Sequence, residues 1–179
     1  MRYSPPLAII LATFTFMPLA CAFASFAASQ PPQKDYLSDS EADKIRDADT
    51  PAERIKLYMS FADDRLKKFD YEVNRTAPER RRDEILNSLL NGFSGCIDDA
   101  ADQIDDAQEK QLDIRGELKT MKKKDEEFLA ALQKYDKAGP DLNAYKDTIE
   151  DAIAGIQDAL TDIGDAEKEA TPGPVRRKP

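Results

Sequence analysis

The sequence predicts an all-α protein in which one long central helix carries two antiparallel, coiled-coil-like arms, either extended as helical hairpins or collapsed into a three- or four-helix bundle. Three observations lead there. Fifteen positions from Leu86 to Tyr135 follow one unbroken alternation of four- and three-residue steps, the heptad spacing that keeps an apolar stripe on one side of a helix. The 179 residues include only seven glycines and no tryptophan, with 34% charged residues, a composition poor in turns. No alternating strand pattern interrupts it.

Residues 1–28 read as a secretory signal. Arg2 is followed by an uncharged run from Leu7 to Ala28, with small residues offering cleavage points between Ala20 and Ala28. Two rivals stand beside that reading. Pro18-Leu19-Ala20-Cys21 resembles a bacterial lipobox, which would put a lipid on Cys21, and the uncharged run is long enough to serve as a membrane anchor. Either way the chain is expected to be exported, periplasmic or secreted. Residues 29–37 form a polar, proline-bearing linker, and 171–179 a basic, proline-rich tail expected to be disordered.

The helical domain spans 38–170. A thin apolar stripe of Ala42, Ile45 and Ala48 suggests a short helix over about 39–49. Thr50-Pro51-Ala52-Glu53 supplies a cap, a first-turn proline and a capping-box acid, so a second helix runs over 51–73 with Ile55, Met59, Ala62, Leu66, Phe69 and Val73 inward. Thr76-Ala77-Pro78-Glu79 repeats the device and opens a third helix over 77–137. Gly92, Gly95 and Gly116 each cost that helix about 1 kcal/mol, yet the apolar phase crosses them without slipping, which argues for continuity. Ala138-Gly139-Pro140 ends it, and Asp141 is placed to cap a fourth helix over 141–169.

An antiparallel hairpin pairs residues whose numbers sum to a constant. Leu66 with Leu86, Ala62 with Leu90, Met59 with Phe93 and Ile55 with Ile97 share the sum 152; Leu132 with Tyr145, Phe128 with Ile149 and Met121 with Ile156 share 277. The first register sets Asp70 beside Arg80 and Glu72 beside Arg82. The second sets the lysines at 119 and 122–124 beside Glu150, Asp151 and Asp158, and Asp125 against Ala152. A rod two helices thick buries its core only partly, so self-association as a homodimer, or binding of a protein partner, is expected. Ile153 and Leu160 widen the fourth stripe and are candidate partner contacts, and Cys96 is either a buried small hydrophobe or an intermolecular bridge.

Function classes are bounded mainly by what is missing. Histidine is absent, which removes Ser-His and Cys-His nucleophile pairs and His-ligated zinc. Beyond residue 30 the chain holds 25 basic against 35 acidic residues, since Arg2 alone precedes it, and that net −10 disfavours nucleic acid. Asp98, Asp102, Asp105 and Glu109 share one helix face and are candidate ligands for a hard cation, set against the plainer reading of a solvated acidic face. Asp125 and Gln111 occupy seam positions, where a polar residue usually fixes register. No cofactor motif and no catalytic set is recognised. The expected function is an exported non-enzymatic scaffold, adaptor or chaperone-like binding protein of the bacterial cell envelope that acts through its coiled-coil surfaces, with a cation-binding exported protein using the acidic face Asp98 to Glu109 as the alternative.

Overall fold

A computed structural model describes residues 36–77 and 80–169; the segment read as an export signal, most of the expected linker and the expected tail lie outside these. The described chain is helical and contains no strand. Ser38 opens helix α1 (Asp39–Asp47) with a reciprocal capping box: its hydroxyl accepts the Glu41 N–H, and Glu41 accepts the Ser38 N–H at 2.9 Å. Helix α2 (Pro51–Val73) starts on Thr50, whose hydroxyl accepts the Glu53 N–H at 3.2 Å; the Glu53 carboxylate reaches one residue further back, to the Asp49 N–H.

The long central helix is replaced by two. Helix α3 (Arg82–Glu109) and helix α4 (Arg115–Ala138) are separated by a reversal at Lys110–Ile114. The stop is a Schellman motif: Gln111 adopts φ 53°, its N–H bonds to the Gln108 carbonyl at 2.9 Å, and the Leu112 N–H bonds to the Ala107 carbonyl at 2.9 Å. None of the three suspect glycines makes the break. It falls at Gln111, the seam position with a flexible polar side chain, and of the fifteen seam residues only Gln111 is exposed. The phase survives the turn because a heptad pattern records which residues face the core and not which way the helix axis runs.

Helix α3 also begins later than 77. Arg81 stands at its start with φ 68°, and Pro78 and Glu79 of the expected capping box lie outside the described residues. After α4, the chain makes a 3-10 turn (Leu142–Ala144) before helix α5 (Lys146–Glu169), and the side chain of Asp141, at φ 50°, accepts from Arg82 and caps no backbone N–H of that turn. Across the antiparallel α4–α5 pair, Lys122 bonds to Glu167 at 3.0 Å and not to the expected Glu150, Asp151 or Asp158. Lys123 and Lys146 likewise pair within their own helices, with Glu127 and Glu150.

Helices α2 to α5 form an up-down-up-down bundle in which α2 packs on α3 and α4, and α5 packs on the same two. The antiparallel α2–α3 pair is the hairpin expected from the sequence, and all eight residues of its register are buried. Its charges pair differently. Arg82 donates to Asp141 at 2.8 Å and to the Val73 carbonyl, Glu72 pairs with Arg75, and Asp70 accepts the Tyr135 hydroxyl. The other two contacts are parallel and hold a constant difference of 61: Asn74 with Tyr135 and Lys56 with Glu117 join α2 to α4, while Asn87 with Thr148 and Gln108 with Glu169 join α3 to α5.

Aromatic edges close the core. Phe69 meets Tyr135 and Tyr145 at centroid distances of 5.4 and 5.2 Å, and Phe93 meets Phe128 at 5.4 Å across the bundle. On α5 the alanines at 152, 159 and 166 alternate with Ile149, Ile156 and Ile163 on the buried face, and these small residues let neighbouring helices approach.

Candidate functional site

Helix α1 buries no residue of its own and rests on α2. It is held through Arg65, which is 8% exposed: its guanidinium grips both carboxylate oxygens of Glu41 at 3.0 Å and donates to the carbonyls of Phe61 at 3.1 Å and Tyr36 at 2.6 Å. Burial pushes the Glu41 carboxyl up, but the hydrogen bonds from Arg65 and Ser38 outweigh it and hold the group at about 2. The Tyr36 hydroxyl adds a bond to buried Asp99 on α3.

Two glycines make room for this clasp. A Cβ at Gly92 would stand 3.0 Å from the Arg65 Nε, and one at Gly95 would meet the Tyr36 ring at 2.7 to 2.9 Å. Their helix cost is thus offset by the close approach of a strap that the sequence does not reveal. Between strap and bundle lies a cleft of about 1020 Å³, with Tyr36 and Phe61 on its walls and Ser60, Ser88, Asn87 and Asn91 among its polar lining. Its charges balance: Glu41, Asp64 and Glu84 against Lys44, Arg65 and Lys68. A surface of that kind suits a peptide segment of mixed polarity better than a polyanion or polycation.

The residues singled out by sequence do not converge there. Asp98, Asp102, Asp105 and Glu109 are exposed along α3, as a solvated acidic face would be. The parallel α3–α5 pairing brings that face beside the acids of α5: Asp98 lies over Gly155, and Asp162 is raised by partial burial and then by its neighbours Asp105, Asp158 and Asp165. Among the described residues no three acidic or sulfur side chains converge as a metal site requires. Ile153 and Leu160 are half-buried against the core, and Cys96 is fully buried.

Asp125 is the polar residue set deepest. It is 0% exposed on α4, neither carboxylate oxygen has a hydrogen-bond partner among the described residues, and burial pushes its carboxyl up to about 7. Gln111, the other polar seam residue, lies at the exposed reversal. Among the described residues no helix is long and apolar enough to cross a membrane. No family model matches the chain, and neither a curated protein nor a solved structure matches it.

Proposed function

We propose that this is an exported, non-enzymatic scaffold, adaptor or chaperone-like binding protein of the bacterial cell envelope. The heptad surfaces expected to bind a partner are spent on the bundle's own core, so the contact surface is sought on the outside. The cleft beneath α1 carries this reading: it is wide, open, charge-balanced and walled by Tyr36 and Phe61, features that suit a polypeptide segment laid in a groove. Export rests on the uncharged run from Leu7 to Ala28.

Crosslinking with mass spectrometry in the native host tests it, because Lys44 and Lys68 flank the cleft. Both lysines are expected to crosslink to one other protein, and Ser88→Trp, which fills the cleft from an exposed position, is expected to abolish those crosslinks while leaving helicity unchanged. Crosslinks confined to the chain itself, or unaffected by the tryptophan, would overturn the reading.

A further inference from the structure

An ionisable group sealed in an apolar core without a partner is expensive to charge, and proteins avoid the cost by keeping it neutral or by opening. Asp125 occupies such a place. By the registers that join the helices, α2 presents Ala62 and Leu66 at its level, α3 presents Phe93 and Ile97, and α5 presents Ile156 and Ala159, all buried.

The charged groups nearby in sequence are engaged elsewhere or face solvent. On α2, Asp63 and Asp64 pair with Lys67 and Lys68; on α5, Asp158 and Asp162 are exposed; on α3, Asp99 takes the Tyr36 hydroxyl and Asp98 is exposed. On α4 itself Lys122 pairs with Glu167, Lys123 with Glu127, Lys124 lies over the Phe128 ring, and Glu126 is exposed. Nothing compensates a negative charge at Asp125 except water, and water reaches it only if α4 moves.

Helix α4 is also the least firmly pinned of the four bundle helices. It has no side-chain cap, its first turn contains Gly116 with open space around it, and it is entered through the left-handed Gln111. Its contact with α2 is slighter than the α2–α3, α3–α5 or α4–α5 contacts.

We propose that Asp125 is a conformational trigger: the closed bundle holds its carboxyl as the neutral acid, and ionisation parts α4 from α2 about the reversal at Lys110–Ile114. The device is independent of any partner. Because the folded group gives up its proton near pH 7 and the unfolded group near 3.8, stability declines as pH rises through that interval and is level above it.

Thermal unfolding and hydrogen exchange of the full chain at pH 5 and pH 8 test the proposal. The wild-type melting temperature is expected to be about 10 °C lower at pH 8. Asp125→Asn and Asp125→Leu should each vary by less than about a third of that, whichever of the two folds better. After correction for intrinsic rates, amides of α4 should exchange about tenfold or more faster at pH 8 than at pH 5 in the wild type alone, and at both pH values faster than those of α3, because α4 opens without global unfolding. A wild type insensitive to pH, a variant that keeps the full decline, or α4 amides as strongly protected as those of α3 would overturn it.

Discussion

Arg65 shows how much one side chain can organise. Its body lies against Gly92, its head bridges α1, α2 and the backbone at Tyr36, and each terminal nitrogen of the buried cation makes two hydrogen bonds. Because Glu41 sits at about 2 instead of its ordinary 4.5, the pair's contribution is complete above pH 4.5 and is lost as pH falls toward 2. This window lies below that of Asp125, whose effect has the opposite sign. Glu41→Gln is expected to destabilise the protein by about 2 kcal/mol at pH 7 and to flatten the loss of stability between pH 4.5 and 2.5, as read by urea titration at each pH. Arg65 was not singled out from sequence, and the reason is physical. A lone arginine between helical apolar positions looks solvated until Gly92 and Glu41 are brought to it.

Elements differ in how much of them is local. The start of α2 is written in four residues, Thr50 to Glu53, because capping satisfies backbone donors within one turn. The break between α3 and α4 is not: Gln111 pays a left-handed φ that its own side chain does not favour, and the reward is the return of Leu118, Met121 and Phe128 to the core. Glycines separate the two kinds of constraint. Gly95→Ala drives a methyl into the Tyr36 ring and is expected to destabilise by about 1 to 3 kcal/mol despite alanine's better helix propensity. Gly164→Ala, within α5 and with nothing within 4 Å, should stabilise by about 0.5 to 1 kcal/mol. Paired chemical denaturation curves read both signs directly.

At the scale of the molecule, two arms on a spine and one closed bundle make different demands. Separate arms would melt separately. In the bundle, Phe69 of α2 touches both Tyr135 and Tyr145, and Phe93 of α3 touches Phe128 of α4, so neither hairpin has a core of its own. Leu132→Ala, at a site 0% exposed, should therefore cost about 2 to 5 kcal/mol and lower a single unfolding transition common to all helices. Calorimetry checks it; two resolved transitions would mean independent arms. The closed bundle also removes the burial deficit that made self-association necessary for a rod.

The sequence by itself determined the class and the inward faces: fourteen of the fifteen seam positions are buried, as are Ile55 through Val73 at their four and three spacing. It determined the α2–α3 hairpin too, because a short link between two periodic helices leaves only an antiparallel register. Tertiary structure alone decided where the spine turns back, that α2 runs parallel to α4 and α3 to α5 at a constant difference of 61, and which charges meet. It alone placed the Arg65 clasp, the cleft beneath α1 and the sealed Asp125 carboxyl. The division follows the physics: periodicity reports which side of a helix leaves water, whereas the direction of a helix and the neighbours of a polar group depend on parts of the chain distant in sequence.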